Sequence, residues 1–438
     1  MNRDAALTVI RRLQKCGYEA FLVGGCVRDM ILGTEPKDFD VTTNALPQDV
    51  QDIFEKTLPV GASFGVVIVV VDVDGENEQI EVATYRTDGL YSDGRRPDTV
   101  EFGKTAREDV ERRDFTMNGL LLTTPMDFPV KGVTAEDHDM FDGFGIVDFV
   151  GGREDIKARI IRCIGDPNKR FTEDALRMMR AVRFAAKLGF DIEEQTMKSI
   201  TVNAHMMKNV SRERVAMELF KLLTAPFPIK GIVPLFASGL AAQIFPREFV
   251  DSILLGRTLQ RFAAFQTKDP VLAMAMFLAD AKANLPIVVC QALKLSNDDK
   301  EKIVTGLLYI PSIQKKQKYN FTPAVVKRMM RQPGIDIALD IAVQDECIGV
   351  TNIGHEALMA TVMDFRKLEQ DEIYPKPLVT GLDLIAAGYK PSKAFRDILY
   401  AVETEQLDGT LTTHDQALQR AFAIAAGISG EYVFDGGA

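Results

Sequence analysis

Two aspartates, Asp38 and Asp40, stand two residues apart in the stretch Asp38-Phe39-Asp40-Val41-Thr42. On an extended strand residues i and i+2 point to one face, so the spacing predicts two carboxylates side by side. Such a pair repels unless a cation sits between, and its oxygens suit Mg²⁺. Upstream, Phe21-Leu22-Val23-Gly24-Gly25 reads as a buried strand running into a tight turn, where glycines let the backbone approach a ligand closely. The short helix expected over Val27 to Leu32 then offers free N–H groups to an anion such as a triphosphate. Farther on, Arg113 offers a guanidinium fork to phosphate oxygens, and Asp114 can accept a hydrogen bond from a ribose hydroxyl. Asp174, Arg177, Arg180 and Arg183 recur every three residues. On one helix that spacing drifts by about 60° per step, giving a slow spiral beside a core face of Leu176, Met179, Val182 and Ala186. Each fragment taken alone also has a plainer reading: solvated surface aspartates, a charged triplet, a salt-bridged surface helix.

The elements that must carry these residues follow from patterning. Ala5, Ala6, Val9, Ile10 and Leu13 fall at helical spacing. Pro47 suits the first turn of a helix. Val66 to Val73 is a nearly continuous β-branched run, the mark of a buried strand. Asp74-Gly75 signals a hairpin, and Gln79 to Tyr85, which carries Glu81, alternates as the partner strand. Arg86 to Pro97 is polar and turn-rich and reads as a mobile loop. Pro125 to Gly145, with Glu136-Asp137-His138-Asp139 and Asp142, reads as an inserted acidic loop rather than a metal site. After Gly151 strand signals largely vanish and the chain reads as helical nearly to its end. Pro375-Lys376-Pro377 suggests a hinge, Thr380 to Asp383 a capping box, and Phe434 to Ala438 an end that frays.

The 438 residues suffice for two to four domains, and 46% hydrophobic with 26% charged residues is ordinary globular composition. Five cysteines without C-x-x-C spacing point away from zinc or a disulfide framework and toward a reducing cytoplasm. No signal pattern opens the chain, and no apolar run approaches the ~18 residues of a membrane span. A net charge of −10 opposes bulk attraction to nucleic acid but allows local basic stripes. Two stand out: residues 153–187, with ten Lys/Arg against five Asp/Glu, and residues 314–331, with six against none. Either could contact phosphates or be a solvated helix face.

In combination and in order, these motifs are specific. Gly24-Gly25-x-x-Arg28-Asp29, Leu32-Gly33 and Asp38-x-Asp40-x-x-Thr43 resemble the signature of the polymerase-β nucleotidyltransferase superfamily, in the form found in class II tRNA nucleotidyltransferases (CCA-adding enzymes) and bacterial poly(A) polymerases. The resemblance implies an α/β catalytic head (1–150) with a polymerase-β-like sheet, followed by an all-helical neck with a base-selecting helix (151–225), a body (226–350) and a tRNA-binding tail (351–438). It implies Glu81 as a third catalytic carboxylate beside Asp38 and Asp40, which would hold two Mg²⁺ ions. Gly24, Gly25, Arg28, Arg113 and Asp114 would bind the nucleotide's sugar and phosphates. Asp174 and Arg177 would read the base edge, while Arg180 and Arg183 hold base and triphosphate. Gly119 stands where most relatives have Ala, and Ser211 to Leu219 resembles a helix that buttresses the base-selecting one. The expected reaction is addition of CCA to the tRNA 3′ end from CTP and ATP. A loop at 86–97 argues against CC-only addition. A-only addition, poly(A) synthesis and an inactive nucleotide- or RNA-binding module are the alternatives. Four isolated histidines give no phosphohydrolase site.

Overall fold

The computed structural model describes residues 3–73, 75–88, 100–103, 105–123, 138–282, 284–315 and 321–427. Its contacts divide the chain into two compact units. One is Met1–Asp251 with Ala292–Lys294, the other Ser252–Gln291 with Leu295–Ala438. Every catalytic or nucleotide-binding candidate named above lies in the first, and the basic stretch 314–331 in the second.

That unit opens with helix α1 (Arg3–Lys15), whose apolar stripe is fully buried, and continues as β1 (Ala20–Val23), α2 (Gly25–Ile31), β2 (Asp40–Thr43), α3 (Pro47–Ile53), β3 (Thr57–Gly61), β4 (Val66–Val73) and β5 (Glu76–Thr84). A short ribbon, β6 (Arg86–Asp88) and β7 (Val100–Phe102), leads to α4 (Ala106–Glu111), β8 (Leu121–Thr123), β9 (His138–Phe141) and β10 (Phe144–Val147). Eight strands form one sheet in the order β3-β4-β5-β2-β1-β8-β10-β9. The β2–β5 pair is parallel, in register Asp40↔Glu81 and Thr42↔Ala83, and its neighbours run antiparallel. Phe21, Val23 and Leu121 pack with Ala106 and Val110 of α4, which fixes that helix over the central strands.

Three expectations change here. β4 is only half-buried: Val67 and Val69 are buried while their neighbours are partly exposed, and α1 and α3 pack against this strand. The loop expected from Arg86 starts as paired strand, with Arg86↔Phe102 in register, and residues 89–99 lie outside the described region, as do Asp74, residues 124–137 with Glu136 and Asp137, and the last residues from 428. The insertion does not run as loop to Gly145. It ends in a hairpin, β9–β10, turned by Asp142 (φ 49) and Gly143 (φ 78). Positive φ at both central residues gives the turn whose twist matches the flanking strands.

The remainder of the first unit is helical apart from a two-stranded parallel ribbon, β11 (Ile160–Ile161) with β12 (Asp191–Ile192). It contains α5 (Gly152–Ala158), α6 (Pro167–Glu173), α7 (Leu176–Leu188), α8 (Glu194–Asn203), α9 (Arg212–Leu223) and α10 (Pro228–Ala237). Helix α7 buries Leu176, Met179, Val182 and Ala186, as the spacing predicts, and packs against α9 and α10. Asp174, however, is not on it. The chain is extended at Asp174 (φ −143, ψ 104) between α6 and α7, where the Asp174 carboxylate accepts the N–H of Leu176 at 3.0 Å. A short acidic side chain competes for backbone donors in this way and favours helix starts over interiors.

The second unit is a set of packed helices. Arg261 is fully buried there, between Asp345 at 2.6 Å and Asp280 at 3.0 Å. The basic stretch at 314–331 is largely spent internally: Arg328 and Arg331 pair with Glu403 at 2.8 and 2.7 Å, and Lys327 donates to the Leu407 carbonyl at 2.9 Å. Its Lys316 and Lys318 lie outside the described residues. The capping box is present, Thr380 N donating to Asp383 at 2.7 Å. Pro375-Lys376-Pro377 is tied rather than free, since the Gln406 amide donates to the Lys376 carbonyl at 2.7 Å and accepts from Leu378 N at 3.1 Å. No helix among the described residues is long and apolar enough to cross a membrane.

Candidate active site

The parallel register of β2 and β5 sets Asp40 directly beside Glu81. The sheet thus brings together two carboxylates separated by forty residues of chain. Burial, then the neighbouring Glu81 and Asp38, push the Asp40 carboxyl up to about 6, with Arg113 opposing. Asp38 is exposed and precedes β2. The strand therefore does not fix the Asp38–Asp40 alignment as the D-x-D spacing suggests, though the two carboxylates still feel each other. Asp40 and Glu81 line a cleft of about 200 Å³ together with Val23, Phe64, Arg86, Arg112 and Arg113. Among the described residues no group of three or more His, Cys, Asp or Glu is placed to hold a metal ion. A Mg²⁺ ion needs no such cage where one or two carboxylates and substrate phosphates complete its shell. The adjacent Asp40 and Glu81 carboxylates are an oxygen donor set that fits it.

Gly24 closes β1 with φ 83 and ψ −134, a conformation open to glycine because it has no Cβ. A Cβ built there would stand 3.6 Å from Arg113 Nη1, so the glycine turn and Arg113 face each other. Arg113 is held from behind: its Nη2 donates to Asp109 at 2.9 Å. Thr43, part of the linear motif, is spent on structure, its hydroxyl donating to the Glu19 carbonyl at 2.6 Å. Thr42 is the threonine that shares the face of Asp40.

Arg28 and Asp114 are both buried and have internal partners. Arg28 is 2% exposed. It donates to Asp29 at 2.8 and 2.5 Å and to Asn118 at 2.5 Å, and its guanidinium lies 5.4 Å from the Phe184 ring centre. Asp114 accepts from Arg180 Nε and Nη2 at 2.7 and 2.6 Å, from Asn118 at 3.2 Å and from Phe115 N at 2.9 Å. Burial would raise its carboxyl, but Arg180 and Asn118 outweigh burial and hold it below the usual range. In this arrangement Asp114 orients Arg180.

The α7 charges are likewise partnered. Arg177 pairs with Glu173 at 2.6 Å and donates to the carbonyls of Arg170 and Arg112 at 3.1 and 3.3 Å. Arg183 pairs with Glu218 of α9 at 2.7 Å, and Asp174 with Arg214 at 2.9 Å. Glu218 thus supports Arg183 of α7 and Arg214 supports Asp174 just before it, whereas Glu213 is exposed and bonds Lys294. Burial lowers the Arg183 guanidinium from its usual range, with Glu218 opposing. The buried Phe184 ring is a shared platform: the Arg183 guanidinium lies 3.7 Å and that of Arg180 5.6 Å from its centre. Sequence reasoning missed Phe184, Asn118 and Asp109 as supports. Only Asp109 left a readable signal, standing three and four residues before Arg112 and Arg113.

Residues 20–162 match the family model of the poly(A) polymerase head domain, residues 189–248 that of an RNA and SrmB binding site of polymerase A, and residues 264–422 that of tRNA nucleotidyltransferase domain 2. The CCA-adding enzyme of Bacillus cytotoxicus is 34% identical over 415 residues, 94% of this chain and 96% of the relative. That of Geobacillus stearothermophilus is 38% identical over 310 residues, 70% of each. The crystal structure of the Bacillus stearothermophilus CCA-adding enzyme in complex with CTP aligns with a TM-score of 0.74 at 29% identity, covering 98% of this chain and 100% of that one.

Proposed function

The chain belongs to the family of CCA-adding enzymes, which are nucleotidyltransferases, and from that premise we propose that it adds C, C and A to the 3′ end of tRNA, using CTP and ATP in one site. The observation that carries this reading is the in-register Asp40–Glu81 pair, facing Arg113 and the Gly24-Gly25 turn across one cleft.

Asp40, with Asp38 at its flank and Glu81 opposite, would hold Mg²⁺. Bound there, one such ion would lower the pKa of an attacking hydroxyl and a second would stabilise the leaving pyrophosphate. The protein's own share is alignment and fixed charge, since phosphoryl transfer leaves a protein little covalent work. Arg113 and Arg112 would face the triphosphate over the glycine turn. Arg28, bonded to Asp29 and Asn118, would brace that turn against α7. Asp174 and Arg177 would read the edge of C or A, whose donors and acceptors they can match. U and G would leave buried groups unpaired, and such mismatches are costly. Arg180 and Arg183, aligned by Asp114, Glu218 and the Phe184 ring, would hold base and phosphate. The tail would contact the distal tRNA, and the cytoplasm is the natural setting for such a substrate.

The test is extension of three RNAs with CTP, ATP and Mg²⁺ at single-nucleotide resolution: a tRNA lacking CCA, one ending in CC, and an unstructured RNA. Three added nucleotides on the first, then arrest, are expected. Extension of the CC-ended tRNA alone would replace the reading with A-addition, long tails on unstructured RNA with poly(A) synthesis, and no pyrophosphate release with an inactive binding module.

A further inference from the structure

Behind the cleft lies a carboxylate that the mechanism above does not use. Asp109, on the last turns of α4, is fully buried. One of its oxygens accepts from Arg112 Nε at 2.9 Å and Nη2 at 2.6 Å. The other accepts from Arg113 Nη2 at 2.9 Å and lies 3.2 Å from the Thr42 hydroxyl. That hydroxyl is also 3.2 Å from the Ala83 carbonyl. Thr42↔Ala83 is the pair two residues beyond Asp40↔Glu81 on the same two strands, and residues two apart share a face. Asp109 therefore sits just behind the reacting carboxylates, with Arg113 reaching from it to the Gly24 turn. An ionised carboxylate survives full burial only when paired and hydrogen-bonded. Here two adjacent guanidiniums do this, and both line the cleft. Burial opposes ionisation, but Arg113 and Arg112 outweigh it and keep the carboxyl below its usual range.

We infer that Asp109 is a positioning residue for nucleotide binding. It fixes Arg113 over the Gly24-Gly25 turn, with Arg112 alongside, so that an incoming triphosphate meets guanidiniums already in place instead of ordering two flexible, mutually repelling side chains. Preset donors lose less freedom on binding, and the gain appears in affinity. The inference rests on the proposed nucleotidyl transfer, and wild-type CTP incorporation into tRNA, measured alongside, tests that premise separately.

The experiment is steady-state CTP incorporation by wild type, Asp109→Asn, Arg113→Gln and the double variant, with circular dichroism as the control for folding. Asp109→Asn should raise the KM for CTP about tenfold, leave the KM for tRNA unchanged and lower kcat less than about threefold. Because Asp109 acts partly through Arg113, the KM effect of Asp109→Asn should be clearly smaller in the Arg113→Gln background than in wild type, the remainder passing through Arg112. An unchanged KM for CTP in Asp109→Asn, a fall confined to kcat, or effects that multiply in the double variant would each overturn the inference. Should Asp109→Asn fail to fold, Asp109→Glu, which keeps the charge and moves it by one methylene, carries the same cycle and the same expectations.

Discussion

Replacing Asp40 with Asn should make the metal-free protein more stable while it destroys activity. The Asp40 carboxyl is held at about 6 instead of 3.8, chiefly by burial and then by Glu81 and Asp38. A tenfold change in proton affinity is worth about 1.4 kcal/mol, so keeping this group ionised in the folded state costs about 3 kcal/mol. Asp40 is partly exposed, and water relaxes some of that strain, so the measured gain should be about 1–3 kcal/mol. The sign follows from linkage. The folded pKa lies above the unfolded one, so the folded state binds the proton more tightly, and the wild type loses stability as pH rises through the interval between the two values. Asn carries no such proton. Its advantage should therefore be full at pH 8, about a third as large at pH 4.5, and nearly absent below pH 4. Urea titrations of both proteins in EDTA across this range measure it. Mg²⁺ should narrow the gap at pH 8, because only the wild type retains the carboxylate proposed to hold the ion. An Asn variant less stable than wild type at pH 8, or an advantage equal at pH 4.5 and pH 8, would refute the idea that burial, with Glu81 and Asp38 beside it, leaves the ionised Asp40 destabilised until a cation binds.

Other perturbations read other parts of the site. Glu218→Gln removes the charge opposite Arg183, in a pair 8% and 12% exposed; unfolding in urea should show a loss of about 2–4 kcal/mol, the Phe184 stack retaining part of the guanidinium's support. Gly152→Ala would set a Cβ 2.2 Å from the Thr116 carbonyl oxygen; backbone must move, and a urea midpoint within error of wild type, instead of a loss of at least about 2 kcal/mol, would contradict the close approach of α5 to this segment. Arg177→Ala should relax nucleotide choice, measured as UTP misincorporation against CTP, more than it lowers kcat. Unchanged selectivity would remove Arg177 from base reading.

Much of this was legible because strand and turn chemistry is local. The Phe21-to-Gly25 run, the Thr380–Asp383 box and the buried face of α7 follow from spacing alone. What escaped was set by tertiary pairing. The D-x-D spacing alone does not show that β2 starts only at Asp40 or that parallel pairing sets Glu81 against it. The three-residue recurrence from Asp174 to Arg183 hides a helix break, because capping by Asp174 outcompetes continuation. Arg28 and Asp114 look like ligand contacts in the string, yet their partners, Asn118 and Arg180, lie 90 and 66 residues away. The basic stretch at 314–331 is answered by Glu403, over seventy residues on.

These internal partners bear on how base choice would work. Arg177, Arg180 and Arg183 already have Glu173, Asp114 and Glu218, and Asp174 has Arg214. A base engaging Asp174 and Arg177 must share or displace bonds already made. The net gain for a matching base is a difference between two sets of hydrogen bonds, each worth only about 0.5–1.5 kcal/mol net. A mismatched base pulls the same donors from their partners and returns nothing, and an unsatisfied buried group costs about 1–3 kcal/mol. Such a site discriminates more strongly than it binds, so affinity must come chiefly from the triphosphate end, where Asp109 keeps Arg112 and Arg113 in place. One protein template can then serve two different bases. On the proposed roles the phosphate contacts would be common to both nucleotides, and only the small difference at Asp174 and Arg177 would have to change between them.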